Sequence, residues 1–185
     1  MAERHFPIRP NLDQLKQQAK ELLRDLRRSD PSASAVLKKH HPKNIKPLDA
    51  KLADAQLVLA RSYGLPSWPR LVLACRMTDA ICRDDADAVR ELVLKNPQLL
   101  HEDARGVKGN WGPPMSYAAN LGRDQIMAML NELGANDLQF AFDRACLQGK
   151  VETARHLYAM GARPALRFRD GTVGNTERFR PCAST

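Results

Sequence analysis

Four basic side chains, Lys16, Lys20, Arg24 and Arg27, recur at helical spacing near the start of this 185-residue chain. A ridge of that kind can hold phosphate groups and release their counterions, and Lys38, Lys39, Lys43 and Lys46 add a second cluster. Glu21 and Asp25 interrupt the ridge and no aromatic residue is interleaved for base stacking, so a solvated face is the plainer reading. Gly106, Gly109 and Gly112 stand three apart. A phosphate cradle would need a strand before them and a helix N-terminus after, and only the second is expected, so they read as turn formers. His40 and His41 with Cys75 or Cys82 lack the regular spacing of a metal set, and the His pair reads as exposed at a helix end. Asp84, Asp85 and Asp87 are explained by capping and solvation at a helix–helix turn. No HExxH, GxSxG or phosphate-binding Gly-rich loop is present. The expectation is a protein without enzymatic activity, cofactor or metal.

The elements that would position these residues are helical throughout. Met1 to Pro10 reads as an extended arm, because Pro7 and Pro10 resist helix. Asn11 can cap a helix over residues 12–28, whose apolar positions Leu12, Leu15, Ala19, Leu22, Leu23 and Leu26 follow the 3.6-residue period. A shorter helix is predicted over 32–40, stopped by His41-Pro42. A third covers 49–63 and ends at Gly64. Ser67-Trp68-Pro69 starts a fourth that runs towards Met77.

Charge divides the chain unevenly. The net +8 splits into +7 over residues 1–74, −1 over 75–165 and +2 over the last twenty. The predicted organisation is therefore a basic helical module (1–74), a near-neutral module (75–165), and a tail (166–185) without periodicity, expected to be poorly ordered. The four cysteines, Cys75, Cys82, Cys146 and Cys182, show no close pairing and read as reduced thiols, Cys82 and Cys146 as small buried groups in helices. The N-terminus does not read as a signal peptide and no apolar run spans a membrane, so a cytoplasmic protein with no membrane partner is expected.

Within 75–165 one helix–turn–helix unit recurs. Residues 80–96, 118–134 and 145–161 each open on Ala. A turn residue follows four positions later (Asp84, Gly122, Gly149), then an acid or amide (Asp87, Gln125, Glu152) and a Leu (Leu92, Leu130, Leu157). Each unit closes on Asn96, Gly134 or Gly161. Units that bury their apolar face only against a neighbour build a solenoid. The turns are spaced 38 and then 27 residues apart. The longer gap carries the turn-rich stretch 105–114, suited to a projecting hairpin.

Pro113-Pro-Met-Ser-Tyr-Ala-Ala-Asn-Leu-Gly122, followed by Arg-Asp-Gln-Ile-Met-Ala-Met-Leu130 and Gly134-Ala135, resembles an ankyrin repeat, as does the end of the unit at Leu157-Tyr-Ala-Met-Gly161-Ala162. Pro113 and Ser116 stand where that family has a hydrogen-bonding Thr and His, and Phe140-Ala141 replaces its Thr-Pro. The first 74 residues, through Leu12-Asp-Gln-Leu-Lys-Gln-Gln-Ala-Lys20 and Tyr63-Gly-Leu-Pro-Ser-Trp-Pro-Arg-Leu71, are similar to the N-terminal segment of certain bacterial ankyrin-repeat proteins.

The resemblance implies an all-α fold: a short ankyrin-like solenoid of about three helix pairs, preceded by a helical module that could cap it. It implies a bacterial cytosolic source and function by surface, with hairpin tips and inner helices gripping a partner protein of unknown identity. The one good hairpin makes Arg105, Lys108, Asn110, Trp111 and Tyr117 the partner-binding candidates, since an exposed Trp flanked by cations is the composition expected of an interface anchor. Trp111 could equally fold back as packing. Nucleic-acid binding through Lys16, Lys20, Arg24, Arg27, Lys38 and Lys39 is the second reading.

Overall fold

Local capping chemistry places most of the helix boundaries in the computed structural model, which describes residues 5–164 and the backbone of 166–167 and 173–174. Asn11 accepts from the N–H groups of Asp13 and Gln14 and starts α1, Leu12–Arg27. Ser29 then takes a positive φ of 57°. Asp30 accepts from Ala33 N–H and starts α2, Pro31–His40. A 3-10 turn at Pro47–Asp49 precedes α3, Leu52–Ser62, which therefore begins three residues later than the pattern implied. Ser67 accepts from Arg70 N–H at 3.3 Å, and α4 runs over Trp68–Cys82, five residues beyond Met77. There follow α5, Ala86–Lys95; α6, Pro114–Leu121; α7, Asp124–Glu132; α8, Leu138–Leu147; and α9, Val151–Ala159. Among the described residues the fold is all-α apart from one two-residue antiparallel ladder, Leu166 and Arg167 against Gly174 and Val173. The rest of the tail lies outside the described residues.

The recurring unit has a recurring backbone. Asp84, Gly122 and Gly149 adopt φ of 61°, 71° and 64°. The next residue's N–H reaches back to the opening alanine in each: Asp85 to Ala80 O, Arg123 to Ala118 O, Lys150 to Ala145 O. This is the left-handed helix stop that lets one helix end and its partner double back. Glycine suits it because no Cβ opposes the positive φ; Asp84 manages with a short polar side chain.

The pairs α4/α5, α6/α7 and α8/α9 stack so that α4, α6 and α8 lie side by side, with α5 and α7 adjacent in a second layer. Helix α6 is in the middle. Every residue from Pro114 to Asn120 is buried, and Ala118 and Ala119 allow its neighbours close approach. A helix buried all round carries no amphipathic stripe, since each face meets another element.

A boundary drawn at residue 74 falls inside α4. Leu71, Ala74 and Cys75 pack into a core with Phe6, Leu15, Ala19 and Leu59. Met77, Ala80 and Ile81, one to two turns on, belong to the large core of the stacked pairs. One continuous helix thus joins the N-terminal helices to the stack. At the other end the last pair closes with polar groups. Gln139 Nε2 donates to Arg163 O at 2.7 Å, and Arg163 N–H returns a bond to Gln139 Oε1 at 3.1 Å. The Arg163 guanidinium sits 4.8 Å from the Tyr158 ring centroid. Among the described residues no helix is long and apolar enough to cross a membrane.

Candidate interaction surface

The stretch 105–114 does not project as a free hairpin. Ala104 N–H bonds Gly112 O at 3.0 Å and Gly106 N–H bonds Asp103 O at 2.7 Å, closing the loop at its base. Arg70, from α4, fastens it further through Glu102 (3.0 Å) and the carbonyl of Asp103 (3.0 Å). Gly106 and Gly112 have φ of 68°, and each lies under a side chain. A Cβ on Gly106 would stand 2.7 Å from Leu65 Cδ2, and one on Gly112 would fall on the Phe140 ring. Gly106 and Gly112 therefore serve close packing of a folded loop, whereas a Cβ on Gly109 would meet only ordinary contacts.

The N-terminal arm lies over this loop. Arg105 donates to Phe6 O and, at 3.2 Å, to Pro7 O. Tyr117 OH donates to Ile8 O at 2.8 Å. Phe6 is 3% exposed and meets Tyr63 edge-on, with ring centroids 5.5 Å apart. Arg9 reaches Asp79 on α4 at 3.4 Å, an exposed pair worth little. Burial pushes the Arg105 guanidinium down, while Tyr117 and Asp103 oppose that. Burial, reinforced by Cys82, pushes the Tyr117 hydroxyl up. Both side chains thus work as neutral-pH donors to backbone carbonyls.

The five partner-binding candidates separate accordingly. Lys108 and Asn110 are exposed at the tip. Trp111 is half-buried against Tyr117, centroids 4.8 Å apart, so it packs back onto α6. Arg105 is half-buried under the arm. Tyr117 corrects the expectation: at 0% exposure it has no side-chain surface to offer. It sits on the buried central helix, with its hydroxyl 4.0 Å from Cys82 Sγ and its ring against Trp111.

The nucleic-acid candidates Lys16, Lys20, Arg24, Arg27, Lys38 and Lys39 are all exposed. Lys16 is paired with Asp13 at 2.9 Å and Arg24 lies 3.9 Å from Asp25, so acidic groups do interrupt the ridge. His41 departs from its expected exposure. Its side chain is 5% exposed, with Nε2 3.2 Å from Asp54 Oδ1 and Nδ1 2.8 Å from Lys43 O, and it pins the loop between α2 and α3. In the acidic cluster Asp85 accepts from Ala88 N–H at 3.0 Å, the expected cap, while Asp84 pairs with Arg123 at 3.6 Å. Among the described residues no group of three or more His, Cys, Asp or Glu is placed to hold a metal ion.

Cys146 is exposed instead of buried, because it lies on α8, the last helix of its layer. Cys75 is buried, and burial together with Asp79 pushes its thiol up to about 12. Brief alkylation at pH 8 followed by mass spectrometry should therefore modify Cys146 and leave Cys75 intact until denaturant is added. Rapid labelling of native Cys75 would contradict this core.

Two polar links in the stack were not read from the sequence. Asp137 Oδ2 accepts from Ser116 N–H at 2.9 Å and from the Ser116 hydroxyl. Arg144, 7% exposed, donates to Asn120 Oδ1 at 2.9 Å, and Asn120 Nδ2 donates to Ser116 O at 2.8 Å. A signal for the first existed: Pro113 occupies the N-cap position of α6 and offers no side-chain acceptor. The chain matches no family model, no curated protein and no solved structure.

Proposed function

We propose that this chain is a non-enzymatic protein-interaction module built on divergent ankyrin-like repeats of the bacterial kind, with the N-terminal helices capping the first pair. The observation that supports it is the stacking of α4, α6 and α8 with the same left-handed stop at Asp84, Gly122 and Gly149. A stack of this kind spends its burial on its own neighbours and leaves loops and outer residues to meet a partner. Its working surface is small. Lys108, Asn110 and the open edge of Trp111 offer a cationic, aromatic-rimmed tip, and Arg105 and Tyr117 support it from beneath.

A photo-crosslinking residue at Asn110 tests the reading in the full-length chain. It should capture a protein in the source cell that the same residue at Arg155, on α9, does not. Lys108→Glu should reduce that capture. Equal labelling from Arg155, or none from Asn110, would remove the loop as the working surface.

The exposure of all six basic candidates supports the second reading, nucleic-acid binding through α1 and α2. Each phosphate contact contributes about 0.9 to the slope of log affinity against log salt. The interaction reading expects no such steep dependence from the full chain on a labelled duplex, and no change in Lys16→Gln/Lys20→Gln/Arg24→Gln. A slope that shrinks by two or more in that variant would install the nucleic-acid reading in its place.

A further inference from the structure

The arm is held by side-chain donors on its backbone carbonyls. Three consecutive carbonyls, those of Phe6, Pro7 and Ile8, accept from two side chains, Arg105 and Tyr117. Only Phe6 and Pro10 are buried; Pro7, Ile8 and Arg9 are exposed, Ile8 at 48%. The arm is therefore bound as a short peptide is bound: one aromatic anchor in a pocket, a proline beside it, and main-chain acceptors gripped by side-chain donors. Proline segments are recognised this way because they lack N–H groups and keep free carbonyls. At the far end of the arm, Asp79 faces Arg9, and a cavity of about 240 Å³ opens between Pro10, Asn11, Asp13, Cys75, Arg76 and Asp79.

We propose that this track is a docking site for a non-helical segment of a partner protein with the pattern aromatic–Pro–X–basic, and that the chain's own residues 6–9 occupy it as an intramolecular competitor. The inference rests on the interaction reading above and names the partner's chemistry. Two structural features select this occupant. The donors read backbone carbonyls, so they accept another sequence, whereas the Phe6 pocket selects its first side chain and the exposed Asp79 only favours a basic residue at the fourth. A tethered occupant competes at an effective concentration of about a millimolar. The track thus stays closed to weak ligands and opens to a segment that binds better than the arm. Beyond the buried Phe6, the exposed residues 7–9 are the part of the arm that opens most readily.

The probe is a fluorescein-labelled peptide of residues 4–11, followed by anisotropy with the full-length chain. The wild-type chain should bind it weakly, because its own arm competes. The full-length Phe6→Ala chain has lost the anchor of its arm and should bind the peptide at least tenfold more tightly. Adding Arg105→Ala or Tyr117→Phe to that chain should weaken binding again by fivefold or more, and a peptide carrying Phe6→Ala should not bind. Phe6→Leu, a nearly volume-conserving change, serves in the same assay if the alanine chain does not fold. A folded anchor variant that binds no better than wild type overturns the proposal. So does peptide binding that is indifferent to Arg105 and Tyr117, or a concentration-dependent dimer with exchanged arms and no peptide binding. Failure here leaves the Asn110 crosslinking result standing, so the two proposals fall separately.

Discussion

Replacing Asp137 by Ala is expected to lower the melting temperature by roughly 5–10 °C, a loss of about 2–3 kcal/mol for a chain of this size. The first turn of α6 has N–H groups to satisfy and Pro113 at its cap position, which contributes no acceptor. Asp137, at the start of α8, supplies that acceptor from the next helix pair through Ser116 N–H and hydroxyl. The bond both caps α6 and fixes the register of α8 against it. Asp137→Asn keeps an acceptor oxygen and should cost only about 1 kcal/mol. Thermal melts of the two variants separate a cap from generic damage.

The same carboxyl makes a pH prediction. Burial raises Asp137 above its ordinary value, outweighing the bonds from Ser116 that lower it, and Oδ1 has no hydrogen-bond partner among the described residues. A group whose folded value is raised takes up its proton in the native state before the unfolded one does. Stability from this group therefore increases as pH falls from the folded value towards about 4, and is lost as pH rises through it. The gap between wild type and Asp137→Ala should be wider at pH 4 than at pH 7 in denaturant titrations. A gap that narrows on acidification would show the folded value to be lowered instead.

The second large effect is expected from Phe6→Ala, at about 3 kcal/mol, within the range for deleting a buried aromatic ring. Phe6 belongs to the core shared by α1, α3 and α4, so the loss combines a cavity beside Tyr63 with release of the arm. Released, the arm also takes its carbonyls from Arg105 and Tyr117. Arg9→Ala is the contrast: its pair with Asp79 is exposed on both sides, and its melt should stay within about 0.5 kcal/mol of wild type. Equal losses from the two would mean that the arm is held by charge.

Much of the fold was legible because it is local. Asn11 caps at Asp13 and Gln14, Ser67 at Arg70, and Gly122 stops α6 through the next residue's bond to Ala118. Each involves groups five residues apart or fewer, so the residue types announce them. The apolar period of α1 likewise names its buried face, Leu15, Ala19 and Leu26. The recurring Ala–turn–Leu pattern already implied helix pairs, and the same stop returns at each turn of the stack.

The candidate surface was legible only in part. The sequence shows that 105–114 turns and carries Arg105, Lys108, Asn110 and Trp111, but not where the loop lies. That was decided by bonds over about a hundred residues, Arg105 to Phe6 and Pro7 and Tyr117 to Ile8. Tyr117 looked available because a helix read alone has an outward side, whereas α6 has none once α4, α8 and the loop surround it. His41, Asp137 and Arg144 were invisible for a related reason. Periodicity reports which face of a helix avoids water, and it carries no information about which polar group another element will bring opposite. The sequence by itself therefore determined the helices, their stops and their apolar faces, since those follow from backbone geometry and burial within a few residues. Only the tertiary structure decided that the arm covers the loop and that one helix pair caps the next, because these depend on polar partners meeting across the packed stack.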